Sequence, residues 1–579
     1  VIAVARAHGR GLTDMRRRII SIFLLLLLSL CGVAAKLFFL QIQQRDRLAE
    51  RATKQYQRFL PIVSGRGTIY DRAGRELAVS LKVPSVFAQP AAVEDPAATA
   101  KALAPILEQP AKNILARLTA DKPFVWIQRQ LDPAKAETIT DLTLKGIGLY
   151  PESRRYYPRQ ELAAHVLGMM GLDDRGLEGL EREYDDLLGG QPQFVAAQQD
   201  ALGRIIFRQE EPERRAPVFD LTLTIDGVIQ YIAERELQRA VERSRAKGGT
   251  AIVMDPRTGE ILALANQPTY DPNAYQKFGA AARRDRAVTD AFEPGSVFKV
   301  ILAAGALEEG VIRPGDRIFG ENGAIEVGGL TIRDHEKYGW LTVRDILTYS
   351  SNVGAIKIGQ KLGKSLYYHY ISSFGFGSLT GLDLPGETPG LMRRPKSWSA
   401  LSLSVLSIGQ EVSVTPVQIA TAFSAIANGG NLVRPHVVRA LKAQDGSLSR
   451  EADPVVIRRV VSAETAQTLL EMLCGVVEDG TGKEAALEEY SVAGKTGTAQ
   501  KVDPATGRYS HQKIVASFVG AVPAESPRLV ILVLIDEPEV LRWGGSIAAP
   551  AFREIARDAL QYLQVPPSPS RDVRLVRSS

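Results

Sequence analysis

The sequence predicts an α+β domain built on an antiparallel sheet with helices, carried behind an elongated non-catalytic region and one membrane-spanning helix. Three observations predict it. The 22 residues at 19–40 are almost purely apolar. The second half opens and closes on strand patterns with helical patterns between them, which suits an antiparallel sheet with segregated helices. Between the two lies a polar, loop-rich stretch. Composition agrees: 579 residues, 45% hydrophobic and 23% charged, describe an ordinary globular chain. A chain this long buries enough apolar surface to fold without staples.

The apolar run carries one charge, Lys36. At ~1.5 Å per residue a helix of this length spans ~33 Å, enough for a ~30 Å hydrocarbon core. Arg16, Arg17 and Arg18 stand just before it, with Arg6 and Arg10 further back. Positive charge stays on the cytoplasmic side, so residues 1–18 are expected to be a cytoplasmic arm and everything after Leu40 to lie outside. Val33-Ala34-Ala35 resembles a signal-peptide cleavage site. The apolar run resumes at Leu37-Phe38-Phe39-Leu40, however, and exceeds the ~7–15 residues of a signal core, so an uncleaved anchor is expected. Lys36 can reach the headgroups by snorkelling.

Of two cysteines, Cys31 lies in the anchor and Cys474 outside it. The exported body therefore has no intramolecular disulfide and no Cys-rich zinc site. The six histidines lack metal-site spacing, so neither metal nor cofactor is expected. The net charge of +6 is a weak bias over this length and does not suggest nucleic-acid binding.

Residues 41–58 are charged and helix-compatible, a plausible stalk. Arg66-Gly67 and Asp71-Arg72 bracket a strand-and-turn pattern. Residues 90–145 read as alanine-rich helices broken by Pro90, Pro96, Pro105 and Pro110. Residues 151–215 are polar; their basic pair Arg154 and Arg155 reads as a solvated loop. The whole of 41–215 is expected to be one non-catalytic pedestal, and 216–564 the catalytic domain. In the latter, 218–225 is strand-like and 227–245 helical. Two strands at 250–254 and 261–265 flank a hairpin turn at 255–260. Further strands lie at 514–522 and 529–536, and a closing helix at 548–563. The tail 565–579, with three prolines and four serines, is expected to be disordered.

Three motifs could carry chemistry. In Glu293-Pro294-Gly295-Ser296-Val297-Phe298-Lys299, Ser296 sits at a helix start. The i,i+3 spacing puts Ser296 and Lys299 on one face, ~5–6 Å apart at Cβ. A serine is a poor nucleophile until a base takes its proton, and burial lowers a lysine's pKa enough to serve. Alone the spacing is weak, since it recurs at Ser244/Lys247 and Ser510/Lys513. Ser350-Ser351-Asn352 could supply a proton relay and an amide for a substrate carbonyl; the bland alternative is a polar helix end. In Gly494-Lys495-Thr496-Gly497-Thr498-Ala499, a phosphate loop is excluded because Glu489 occupies the position of its first glycine. A strand whose glycines admit another backbone fits better, with Lys495 offering charge to a carboxylate. Asp334-His335-Glu336 reads as a loop. Trp340 and Trp543 could line a cleft, but aromatic core is the default.

The order S-x-x-K, S-x-N, K-T-G matches the penicillin-binding and serine β-lactamase set. With Gly176-Leu177-Glu178-Gly179-Leu180-Glu181, Ile408-Gly409-Gln410 before Val414-Thr415-Pro416, and Gly544-Gly545 before Ala549-Pro550-Ala551-Phe552, the chain resembles the class B penicillin-binding proteins over nearly its full length. It is most similar to the division-specific FtsI-like transpeptidases. The resemblance implies a penicillin-binding/serine β-lactamase-like transpeptidase domain on a dimerisation-type pedestal. It implies that Ser296 attacks a peptidoglycan stem peptide between its last two D-alanines and that Lys299 takes the proton. Ser350 then passes a proton to the leaving D-alanine, and Asn352 holds the peptide. Lys495, Thr496, Gly497 and Thr498 bind the terminal carboxylate, with Ser296 and Thr498 N–H groups as the oxyanion hole. The implied partners are β-lactam antibiotics, an FtsW-like glycosyltransferase and other divisome membrane proteins in the inner membrane.

The alternatives are an elongation-specific relative with the same chemistry, a β-lactamase, and a β-lactam sensor or scaffold. A lactamase needs a base for its deacylating water, and no glutamate suggests itself. A sensor is expected to carry a cytoplasmic signalling region, and 18 residues precede the anchor.

Overall fold

The computed structural model describes residues 2–61, 65–189, 194–199, 205–208, 217–447, 449–503 and 506–568. The chain divides into two compact units, Val1–Val63 with Gln191–Ala216, and Ser64–Gly190 with Pro217–Ser579.

The first unit begins with the helix Ile2–Phe38, which runs into a π-helical turn at Phe39–Gln43. Met15–Gln43 is long and apolar enough to cross a membrane. Leu25 and Leu28 and their neighbours are exposed around the helix, which suits lipid rather than a protein core. A second helix, Arg45–Tyr56, covers most of the expected stalk. Gln57–Pro61, Phe194–Gln199 and Ile205–Arg208 then form an antiparallel sheet. The last two strands lie in the stretch whose polarity predicts loops; their order comes from pairing with a distant segment.

The second unit holds two main sheets. One runs Ser449–Glu451, Val438–Ala443, Phe219–Leu223, Ile69–Tyr70, Glu76–Ala88 and Val125–Gln128, with Ile147–Tyr156 also on Glu76–Ala88. Phe219–Leu223 thus pairs, in parallel, with Ile69–Tyr70 rather than joining the catalytic sheet. Three helices, Pro96–Leu107, Ala111–Leu118 and Pro133–Asp141, pack over a core of Leu103, Ile114, Ile127 and Ile139. Pro96 opens its helix instead of breaking it. A first-turn proline has no N–H to leave unpaired, and the Asp95 side chain accepts from Ala97 and Ala98 N–H.

Arg155 corrects the solvated-loop expectation. It lies on the strand Ile147–Tyr156, is buried, and donates to Glu181 at 2.6 Å. Arg66 meets the same carboxylate at 2.7 Å and Asp185 at 2.7 Å. One carboxylate between two guanidiniums is what makes burial of both tolerable.

The other sheet runs Ile261–Gln267, Gly248–Met254, Leu529–Asp536, Tyr509–Val522 and Ala493–Val502, antiparallel throughout. Alternate residues point to opposite faces. Ala251 and Val253 pack under the helices Gly227–Ser244 and Gly544–Tyr562. Ile252 and Met254 join the larger core with Lys299–Glu308, Ala463–Glu478 and the wholly buried helix Pro416–Ala427. Ala493–Val502 is left as an edge. Of the tail expected to be disordered, residues 569–579 lie outside the described residues. Residues 565–568 are tied down: Val565 O accepts from the Tyr490 hydroxyl and Ser568 N–H donates to Glu489 O.

Candidate active site

Ser296 lies in a 3-10 turn, Gly295–Phe298, that leads into the helix Lys299–Glu308. Val297 and Phe298 are buried, and Phe298 packs edge-on against Phe376 at 5.0 Å, which fixes the turn from behind. The turn crosses the edge strand Ala493–Val502 closely. A Cβ on Gly295, whose φ is +55°, would lie 2.9 Å from Thr498 O. One on Gly497 would lie 2.8 Å from Val297 Cγ2 and 3.1 Å from Pro294 O. Glycine at both positions lets strand and turn touch, which sets Ser296 beside Thr498 in a cleft of about 560 Å³.

Lys299 is 1% exposed. Its Nζ donates to Ser350 O at 2.6 Å, Asn352 Oδ1 at 2.7 Å and Ser350 Oγ at 3.3 Å. Burial pulls its pKa down to about 7, against the opposing pull of the Asp334 carboxylate. Lys495 is also fully buried and donates to Ser350 Oγ at 3.0 Å and Thr496 O at 3.2 Å. Burial, then the charge of Lys299, hold its pKa well below the usual lysine value. Ser350 Oγ therefore joins two lysines that come from opposite ends of the catalytic sequence. Lys299 Nζ does not donate to Ser296 Oγ in this arrangement; its protons go to the Ser350–Asn352 turn.

That turn links the helices Val343–Thr348 and Asn352–Leu362. Ser350 holds φ at +60°, rare for a residue with a Cβ. Ser351 caps the following helix by accepting from Gly354 N–H at 3.0 Å. Thr496 Oγ1 and Thr481 Oγ1 share a hydrogen bond at 2.6 Å, and Thr498 Oγ1 accepts from Gly544 N–H at 3.3 Å. All eight residues expected from the sequence, Ser296, Lys299, Ser350, Asn352, Lys495, Thr496, Gly497 and Thr498, thus stand in or directly behind one cleft.

Further residues stand at or near this cleft, among them the two tryptophans that the sequence allows as cleft-lining but places by default in the core. Trp543 is half exposed and meets the His335 ring at 4.6 Å, tilted, where both line the cleft, so it is no core residue. Trp340 is exposed too, against Phe319. Asp334 accepts from the Ser351 hydroxyl and from the backbone N–H groups of Asn352 and Val353. Glu293 accepts from Glu411 N–H and the Tyr509 hydroxyl, both at 3.0 Å, and burial raises its pKa. No local pattern signals these; each depends on a partner far along the chain. Among the described residues no group of three His, Cys, Asp or Glu side chains could hold a metal ion.

Residues 249–557 match the penicillin binding protein transpeptidase domain, and residues 61–223 the penicillin-binding protein dimerisation domain. The chain is 35% identical over 564 residues to stage V sporulation protein D of Bacillus subtilis, covering 96% of this chain and 87% of that one. It is 35% identical over 556 residues to the peptidoglycan D,D-transpeptidase FtsI of Escherichia coli, covering 94% and 91%. Among solved structures it resembles penicillin binding protein 3 from Mycobacterium tuberculosis complexed with aztreonam. There the TM-score is 0.69 at 31% identity, over 88% of this chain and 98% of the other.

Proposed function

The chain belongs to the class B penicillin-binding proteins, which are peptidoglycan D,D-transpeptidases, and on that premise we propose that it cross-links stem peptides through an acyl-enzyme on Ser296 during septal wall synthesis. The observation that carries this reading is that Ser350 Oγ bridges Lys299 and Lys495 beside Ser296.

In this reading the neutral form of Lys299, which gains ground as pH rises through about 7, accepts the Ser296 hydroxyl proton. The freed oxygen attacks the carbonyl carbon between the last two D-alanines. The C–O bond forms, the carbonyl electrons move onto oxygen, and the N–H groups of Ser296 and Thr498 stabilise that oxyanion. One such donor is worth ~3–4 kcal/mol of barrier. As the intermediate collapses the C–N bond breaks, and the proton held by Lys299 reaches the leaving amine through Ser350 Oγ. An acceptor amine from a neighbouring strand then runs the sequence in reverse, releasing Ser296 and forming the cross-link. Lys495, Thr496 and Thr498 hold the donor's terminal carboxylate, and Gly497 keeps the strand close to the turn. Asn352 holds the donor peptide. β-Lactams, which resemble the donor, would acylate Ser296 in its place.

The apolar helix anchors the chain in the inner membrane, and Arg16–Arg18 keep the arm 1–18 cytoplasmic. The catalytic domain then faces its substrate outside, beside an FtsW-like glycosyltransferase and other divisome membrane proteins. Labelling the full chain with a fluorescent penicillin tests the chemistry. A long-lived adduct lost in Ser296→Ala is expected, and rapid turnover of the antibiotic would point to a β-lactamase instead. A tagged chain is expected at mid-cell; a lateral-wall pattern would assign it to elongation.

A further inference from the structure

Asp334 sits in the loop between the strands Leu330–Arg333 and Trp340–Thr342, its backbone N–H anchored on Gly323 O at 2.9 Å. Its carboxylate reaches across to the Ser350–Asn352 turn. Oδ2 accepts from the Ser351 hydroxyl at 2.7 Å, and Oδ1 accepts from the backbone N–H groups of Asn352 and Val353. One carboxylate thus caps the helix Asn352–Leu362 from a different segment of the chain.

The next residue back completes the grip. Arg333 O accepts from Asn352 Nδ2 at 2.8 Å. With its amide nitrogen turned to Arg333, Asn352 must present Oδ1 to the other side, where Lys299 Nζ donates to it at 2.7 Å. The same turn carries Ser350 in its left-handed conformation, with its hydroxyl between the two lysines. A residue with a Cβ keeps that conformation only when its surroundings over-determine it, and Arg333–Asp334 supplies that constraint.

Charge points the same way. The charged groups that interact with Lys299 are Lys495 on the edge strand and Asp334, while Arg333 and His335, on either side of Asp334, line the cleft. Asp334 is the carboxylate whose charge acts on Lys299.

We infer that Asp334 is a positioning residue of the acyl-transfer centre: its carboxylate holds the Ser350–Asn352 turn so that Ser350 Oγ and Asn352 Oδ1 both face Lys299, and it balances the charge of the Lys299 ammonium. The inference rests on the reading of Ser296 as nucleophile and Lys299 as its base.

The test is the second-order rate of labelling of the full chain by a fluorescent penicillin, followed between about pH 5 and pH 10, where the free enzyme's base shows its titration. Asp334→Asn keeps the shape and removes the charge. Loss of a nearby anion favours the neutral amine, so the rise in rate is expected about one pH unit lower than in wild type. Asp334→Glu keeps the charge but displaces the oxygens, so the midpoint stays while the plateau falls about tenfold or more. A purely structural role would reduce the fraction of protein that can be labelled and leave midpoint and per-site rate as in wild type, which overturns the inference. An Asp334→Asn midpoint equal to wild type overturns the charge half; an Asp334→Glu plateau equal to wild type overturns the positioning half and can be read even if Asp334→Asn does not fold. Failure of the underlying reading is separate: Ser296→Ala would then still be labelled.

Discussion

Lys495 Nζ donates to Ser350 Oγ across 3.0 Å, although 145 residues separate them in the chain. Lys299 Nζ reaches the same oxygen at 3.3 Å. Two buried amino groups on one hydroxyl cannot both hold a proton cheaply, so they titrate as a pair. The geometry thereby keeps a neutral amine available near neutral pH, which a lone exposed lysine would not.

The acylation rate of the wild-type chain should rise with pH through about 7, because below that value Lys299 is an ammonium and cannot take the Ser296 proton. Stopped-flow or quenched labelling with a penicillin checks this; a rise centred near the ordinary lysine value would contradict it.

Lys299 owes its lowered pKa to burial, opposed by the Asp334 carboxylate, whereas the Lys299 charge pulls Lys495 down, so Lys495→Met should leave the pH of the rise in acylation rate near that of wild type. The same variant should bind a carboxylate-bearing antibiotic more weakly before acylation. The saturation kinetics of labelling, followed across pH, check both.

At Gly295 the backbone holds φ at +55°, and a Cβ would press on Thr498 O. Gly295→Ala should cost about 1–3 kcal/mol. It should also slow labelling of Ser296, since relief of the clash moves the turn off the edge strand. Thermal unfolding and the labelling rate read the two consequences independently.

In the pedestal, Glu181 lies fully buried between Arg66 and Arg155. Glu181→Ala would leave two buried guanidiniums without their shared anion and should destabilise the second unit by about 3–5 kcal/mol. Urea unfolding checks the loss. Glu181→Gln should retain the packing and lose the charge compensation, and so fall between the two.

Local patterns were legible where local physics sets them. The helix starting near Ser296, the hairpin around Asp255–Glu260 and the closing helix, expected at 548–563 and formed by Gly544–Tyr562, follow from periodicity and turn residues read over a few positions. Burial of charge was not legible. Arg155 looked solvated because nothing nearby announces Glu181 as its partner, and Trp543 looked like core because nothing announces His335 across a cleft. Ser244 and Lys247 show the converse: they share the spacing of Ser296 and Lys299, yet the Ser244 hydroxyl is buried on Ala240 O and Lys247 pairs with Glu537.

The amino-acid sequence by itself determined the apolar N-terminal helix, the strands and helices that flank the cleft, and the three motifs that hold hydroxyls, amines and an amide. These depend on composition and on spacing within a turn or two. Only the tertiary structure decided that Lys299 and Lys495 are both desolvated, that they share Ser350, and that Asp334 stands behind the turn between them. A desolvated charge is a property of everything packed around it, and those neighbours come from segments that no local period relates.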